Sequence, residues 1–366
     1  MSKQLGTIWD LEPHTAKKHA ILRRYFEAWL PILANFNGRV VYIDGFAGPG
    51  EYSRGEDGSP VIVLKAARDH KFKIKSELCC LFVEDRKDRY HHLQSVLAAL
   101  TPPVPSNIKF EAVNETFDEE MSRTLDDIDR KKTALAPTLA FIDPFGFKHT
   151  PFKTIARLMK QPKCEVLINF MYEEINRFLL EPDHAVTFDK LFGTPEWRDA
   201  INPSSSPDER VKAIHGLYLK QLKTVGKYAR SFQMINMGNR VDYFLFFVTN
   251  NPLGLQRMKE SMWKVDLTGE FQFSDLTDAS NQFVLSFAAA PNFEPLRKLI
   301  VEKFGEVEVE IRDLEQWVVT GTPFLPKHLR KPILEPMEDE GAVSVVKAKP
   351  GRKRHTFPEG TVLRFR

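Results

Sequence analysis

The stretch Val40-Val41-Tyr42-Ile43-Asp44-Gly45-Phe46-Ala47-Gly48-Pro49-Gly50 constrains this chain more than any other. Val40–Ile43 is a short run of β-branched and aromatic residues, the pattern of a buried strand. It stops at an acid and turns through glycines 45, 48 and 50 around Pro49. Glycine lacks Cβ, so backbone N–H groups in such a turn can approach a ligand closely. In open α/β sheets ligands sit at the carboxyl ends of strands, where this turn lies. The glycine spacing differs from the G-x-G-x-x-G of dinucleotide sites.

The elements on either side predict the rest of an α/β sheet. Thr15–Leu33 is an amphipathic helix with Ile21, Leu22, Tyr25, Phe26 and Trp29 on one stripe and Thr15 as its cap. Lys17, Lys18 and His19 near its start read as solvated. Ser59-Pro60 opens a second helix, 61–68, whose positive end faces the same crevice as the glycine turn. Strands follow at 78–83, ending in Glu84; at 108–113, ending in Asn114; at 138–142, ending in Asp143-Pro144-Phe145-Gly146; and at 166–171. A helical insert spans 173–222, and 232–236 with 243–248 reads as a hairpin. The prediction is a parallel, doubly wound sheet closed by an antiparallel pair.

Pro291-Asn292 marks a boundary. Beyond it come a helix at 294–304, a strand at 307–309, helices at 311–319 and 327–337, and strands at 343–346 and 361–365 around a basic turn. That order is a winged helix. The expected organisation is an N-terminal helical cap at 1–38, the α/β domain at 39–290 and the winged helix at 291–366.

Composition narrows the function classes. At 366 residues, 42% hydrophobic and 28% charged, the chain is that of a soluble globular protein. No apolar run approaches the ~18–20 residues of a membrane span, and the N-terminus lacks a signal pattern. Cys79, Cys80 and Cys164 sit in or beside apolar runs without C-x-x-C spacing, which reads as buried thiols in a reducing, cytoplasmic setting. The histidines are scattered, so no metal site is expected. Net charge is +3, yet seven bases stand against Glu359 alone after Val343, leaving +6 on the tail and −3 on the preceding chain. Lys349, Arg352, Lys353, Arg354 and His355 in that tail are candidate phosphate contacts.

Two turns carry candidate chemistry. The first, Asp-x-Phe-Ala-Gly-x-Gly at 44–50, resembles the first motif of class I S-adenosylmethionine (SAM) methyltransferases, in the Phe-Ala-Gly form of DNA cytosine enzymes. That resemblance implies SAM as cofactor. Asp44, Gly48 and Gly50 would hold its methionine portion, Glu84 the ribose and Asn114 the adenine edge, with Gly45, Phe46, Ala47 and Ser59 as further cofactor-binding candidates. Glu84 falls 40 residues after Asp44, beyond the usual ~20, and loops 51–58 and 69–76 account for much of the excess. The second turn, Asp143-Pro144-Phe145-Gly146, is similar to the motif of tRNA guanosine N2-methyltransferases. A carboxylate there orients an acceptor amine, and an aromatic ring stacks on the base for ~1–3 kcal/mol. Proline keeps the reacting atoms near ~3–3.5 Å. No cysteine follows the fourth strand, which argues against the thioether route to 5-methylcytosine.

Across nearly its whole length the chain resembles the three-Cys-motif partner (TcmP) proteins. The matching residues are Thr15-x-x-Lys18-His19, 44–50, Gly58-Ser59-Pro60, Glu84, 143–146, Asn169-Phe170, Leu191-Phe192-Gly193, Thr249-Asn250-Asn251-Pro252 and Arg354-His355-Thr356-Phe357-Pro358. The family implies a methyltransferase-like domain with a winged helix and a radical-SAM-like three-Cys-motif protein as partner. The resulting expectation is a SAM-dependent methyltransferase acting on an exocyclic nucleobase nitrogen in RNA or DNA. The alternative is a catalytically silent subunit that binds nucleic acid and that partner, with insert 173–222 as a partner surface. A weaker reading is methylation of a protein or small molecule.

Overall fold

The structure is a computed structural model in which residues 6–200, 205–266, 272–274 and 291–366 are described. These residues form two compact units, 6–257 with 272–274 and 258–266 with 291–366.

The first unit is built on an eight-stranded sheet: β1 Arg39–Asp44, β2 Glu77–Val83, β3 Ile108–Val113, β4 Thr138–Ile142, β5 Cys164–Phe170, β6 Tyr228–Ile235, β7 Val241–Thr249 and β8 Gln272–Ser274. Their order is β3-β2-β1-β4-β5-β7-β6-β8. β1 to β5 pair in parallel, and β7 runs antiparallel to both β5 and β6. From β1 the chain winds outward to β3, then returns to place β4 on the other side of β1. The strand ends between β1 and β4 are therefore a topological switch point, where open sheets part to admit ligands.

The expected strands 108–113 and 138–142 match the observed bounds, and the others shift at their ends. The segment 264–290, expected to be less regular, lies outside the described residues except at 264–266 and β8.

The helices are α1 Pro13–Ala34, α2 Ser59–Arg68, α3 Lys87–Ala98, α4 Phe117–Lys131, α5 Phe152–Met159, α6 Tyr172–Phe178, α7 Ala185–Phe192, α8 Trp197–Ala200, α9 Pro207–Val225 and α10 Pro252–Trp263. α1 begins two residues before the expected cap, because Pro13 at its first position is already set for helix. Rather than a separate cap, α1 is a layer of the first unit. Ile21, Leu22, Tyr25, Phe26 and Trp29 are buried, Phe26 packs edge-on to Tyr42, and the Tyr25 hydroxyl donates to Glu165 at 2.6 Å. Each such side chain is worth ~1.5–3 kcal/mol on burial.

Insert 173–222 is interrupted at Pro182, which opens a 3₁₀ turn, and at Gly193, which ends α7 in a left-handed conformation. α9 starts at a capping box in which the Ser206 hydroxyl accepts from the Glu209 N–H and the Glu209 carboxylate accepts from the Ser206 N–H. The insert covers the sheet. Tyr218 of α9 stacks on Phe170 at 4.3 Å, and Phe188 of α7 stacks on Phe147 at 4.8 Å.

The second unit contains α11 Glu294–Phe304, β9 Glu308–Glu310, α12 Ile311–Gly321, α13 Glu335–Asp339, β10 Val343–Lys347 and β11 Val362–Phe365, with β11 between β10 and β9. Its core includes Leu296, Ile300, Leu314, Val318, Leu334, Leu363 and Phe365. The helix expected at 327–337 is three pieces: a 3₁₀ turn at 326–328, a π turn at 330–334 and α13. Pro332 and Pro336 withhold the N–H groups that a continuous helix needs.

The boundary expected at 290/291 instead falls within α10. The cause is the C-terminal half of that helix. Trp263 belongs to the second core and donates to Pro323 O at 3.0 Å. The buried Lys259 ammonium donates to Val318 O, Val319 O and Thr322 O at 3.1, 2.9 and 3.0 Å. Among the described residues no helix is long and apolar enough to cross a membrane.

Candidate functional site

A cavity of about 370 Å³ opens in the first unit at the carboxyl ends of β1, β4 and β5. Its volume lies within the ~300–1,000 Å³ of small-molecule sites. Phe46, Ala47, Gly48 and Gly50 form one wall, and Ser59 brings the N-terminus of α2 to it. Asp143, Pro144 and Phe145 form a second wall. Thus the two turns singled out in sequence, nearly a hundred residues apart, share one hollow. Lys18 and His19 of α1, Asn169 near the end of β5, Tyr243 of β7, and Trp9 and Tyr52 complete it.

The glycine turn differs from expectation in how its N–H groups are used. Gly45 N–H donates to Phe141 O and Ala47 N–H to Val83 O, each at 2.8 Å. Phe46 N–H reaches Asp44 Oδ1 at 3.4 Å, and Gly48 N–H donates to Glu84 Oε2 at 2.8 Å. These donors hold the turn instead of facing a ligand. Positive φ at Gly48 (63°) and Gly50 (87°) makes glycine necessary there, and a Cβ on Gly58 would lie 2.8 Å from the Gly50 backbone. The first turn of α2 remains as a donor for an anion.

Several predicted residues are displaced from the cavity wall. Asp44 is fully buried behind the turn, where the Ser59 hydroxyl, Phe46 N–H and Tyr42 hydroxyl bond to it. Burial pushes its carboxyl up to about 7, and the charge of Asp143 adds to the rise. Gly45 faces the Phe117 ring, not the cavity. Glu84 is 4% exposed, and its carboxylate accepts from Gly48 N–H and, at 3.0 Å, from Arg86 N–H. Burial raises it to about 6. Asn114 does not line the cavity either; its amide donates to Glu84 O at 2.8 Å and Asp85 O at 3.0 Å, tying β3 to β2. These four residues shape the site from behind: the Asp44 and Glu84 carboxylates are turned to neighbouring backbone N–H groups, the Asn114 amide to backbone carbonyls, and Gly45 to Phe117.

The β4 turn is more elaborate than its motif implied. Lys18 Nζ lies 2.7 Å from Asp143 Oδ1 and 2.6 Å from Oδ2, and Asn169 Nδ2 donates to Oδ1 at 2.5 Å. Lys18 also sits 5.2 Å from the Tyr243 ring centroid. Far from being solvated, Lys18 and His19 are 5% and 6% exposed. Burial, with Lys18 beside it, holds the His19 imidazole down to about 3, so it is neutral. Its Nδ1 has no partner among the described residues, and neither does Asn169 Oδ1. Two unsatisfied polar atoms at a cavity wall fit a site built for a polar ligand. A signal for Lys18 existed in the sequence: at 18, 22, 25 and 29 it continues the stripe of Leu22, Tyr25 and Trp29. Trp9 and Tyr52 carried no local signal.

In the second unit three of the five basic-turn candidates are internally paired. Arg352 donates to Glu338 Oε1 and to Thr356 O, each at 2.7 Å, and stacks on Phe357. Arg354 and His355 both pair with Asp339. Lys349 and Lys353 have no ion pair among the described residues. The local charge is therefore smaller than the tail's composition implied, because α13 sets its acids against the turn. Cys80 and Cys164 are buried, Cys79 is half-buried, and all three are free.

No family model and no curated protein matches the chain. Solved structures similar to it include a Legionella pneumophila protein of family-model DUF519 (13% identity, TM-score 0.42, covering 71% of this chain and 93% of that one). Another is human methyltransferase-like protein 13 in complex with SAH (11%, 0.34, 69% and 91%). A SAM-dependent methyltransferase from Methanosarcina mazei is a third (11%, 0.27, 60% and 97%). The strand order β3-β2-β1-β4-β5-β7-β6, with β7 antiparallel and a cavity at the β1/β4 switch point, makes this a mixed α/β, Rossmann-like fold of the class I SAM-methyltransferase type.

Proposed function

We propose that the protein is a SAM-dependent methyltransferase acting on an exocyclic nitrogen of a nucleobase in RNA or DNA. The observation that carries this reading is the single cavity joining the Gly48–Gly50 turn, the start of α2 and Asp143-Pro144-Phe145. Ser59 and the N-terminus of α2 would hold the carboxylate of the cofactor's methionine portion, and Glu84 would lie toward its ribose. When bound, the cofactor supplies an electrophilic methyl group.

The chain's own residues then have distinct tasks. Asp143 Oδ1 already accepts from both Lys18 and Asn169, whereas Oδ2 accepts from Lys18 alone, so Oδ2 is the freer oxygen for an acceptor N–H. Lys18 fixes that carboxylate in place, and Pro144 stiffens the turn. Phe145, 51% exposed, offers a face on which a base can stack. A target within a duplex would have to be flipped out to reach it. Lys349 and Lys353 remain as cations for phosphate contacts.

Incubation with methyl-labelled SAM and total tRNA, rRNA or DNA, followed by nucleoside digestion, tests this. Label in an N-methylated base that disappears in Asp143→Asn is the expected result. SAM binding without transfer to any pool would overturn it.

A further inference from the structure

The β2 side of the crevice is sealed. Glu84 ends β2 beside the glycine turn, yet it does not line the cavity. Trp9 packs against Gly48, the residue whose N–H holds Glu84; a Cβ on Gly48 would lie 3.7 Å from the indole. The indole meets Phe145 edge-on at 5.1 Å and Tyr52 at 5.8 Å. The Arg89 guanidinium lies 4.6 Å from the Trp9 ring and 4.5 Å from the Phe145 ring. Arg89 is only 4% exposed, its Nε has no hydrogen-bond partner among the described residues, and the charges of Glu84, Asp88 and Asp85 act on it without a direct ion pair there. The indole, a flat ring held against a guanidinium, a second aromatic ring and the glycine turn, occupies the kind of slot that a nucleobase ring fills.

The segment carrying Trp9 is pinned at both sides. Thr7 Oγ1 donates to Asp88 at 2.8 Å, and Arg89 reaches Gly6 O at 3.4 Å. On the other side Ser53 N–H donates to Trp9 O at 2.9 Å, and the Ser53 hydroxyl donates to Asp10. Asp10 and Ser53 are exposed and Thr7 is half-buried, so these hydrogen bonds compete with water, and the ring contacts of Trp9 are the segment's main hold. The segment is latched, not built into the core.

We propose that residues 6–10 form a strap over the β2 end of the crevice, and that an adenosyl nucleoside enters by lifting it. The purine ring then takes the place that the Trp9 indole vacates, between Gly48, the Phe145 ring and the Arg89 guanidinium, and the ribose comes to Glu84, whose carboxylate has lone pairs beyond the two N–H groups it accepts. This deepens the cofactor reading and rests on it.

The test pins the strap. Asp10→Cys with Ser53→Cys, in a Cys79→Ser background, places two thiols where the side chains now touch. SAH binding is measured by calorimetry on the oxidised and reduced forms of the full chain. The expected result is a Kd raised roughly tenfold or more on oxidation and restored by reductant, because the competent fraction falls. Trp9→Ala should bind SAH at least as tightly as the parent. Equal binding by oxidised and reduced protein, or weakened binding by Trp9→Ala, would overturn the strap while leaving the cofactor reading intact. Absence of SAH binding in every form would overturn both.

Discussion

Replacing Lys18 with methionine keeps the length of the side chain and removes its charge. The ammonium is 6% exposed and lies within 2.7 Å of both oxygens of Asp143, whose side chain is 19% exposed. Breaking a buried pair by deleting one partner costs about 3–5 kcal/mol. Asp143 keeps the Asn169 N–H and some water, so a cost of ~2–3 kcal/mol is expected, each bond to a charged group contributing ~1.5–3. For a unit of this size that is a drop in Tm of roughly 5–10 °C. Asp143→Asn alone should cost a similar amount, because it strands the ammonium. The double variant should lose markedly less than the sum, since neither charge is then left unpaired. Thermal melts of the four proteins at pH 7, read by near-ultraviolet circular dichroism, measure the coupling. Single-variant losses that add to within about 1–2 °C would refute the claim that these residues act as one unit. Both single variants should also lose methyl transfer to the nucleic acid pools.

Other outcomes follow from the same geometry. Asp44 has a folded-state pKa of about 7 against ~3.9 unfolded, so the native state binds its proton more tightly and the stability this contributes is lost as pH rises from ~4 to 7. Asp44→Asn, which stays neutral, should therefore gain on wild type across that window, by up to ~4 kcal/mol at pH 8; melts at pH 4.5, 6 and 8 with a constant difference would contradict this. Gly58→Ala puts a Cβ 2.8 Å from the Gly50 backbone and should cost ~1–3 kcal/mol, visible as a lower Tm; an unchanged Tm would show that the turn is not tightly set. In the second unit, Lys353→Ala should flatten the salt dependence of binding to single-stranded RNA or DNA by about one and leave Tm alone. Arg352→Ala should instead lower Tm, since it removes the bonds to Glu338 and Thr356; the reverse pattern would reassign the two residues.

The chain's own residues determined the sheet and its two turns. Strand signals are local: β-branched runs such as 40–43 and 138–142 end at acids, glycines and prolines that cannot continue them, and no distant partner is needed to read them. Cys80 and Cys164 were legible as buried strand thiols for the same reason, whereas Cys79 is half-buried. Tertiary structure decided which charges are solvated. Lys18 is buried because Asp143, far along the chain, meets it at the end of β4, and Arg352 is structural because α13 brings Glu338 beside it. Glu84 and Asn114 looked like ligand contacts until the folded turn supplied the backbone groups that they bond. Trp9 and Arg89 had no local signature at all, since a cation between two rings exists only once three separate segments converge. A side chain's chemistry is written in its identity, but its state depends on what the fold places within a few ångströms of it.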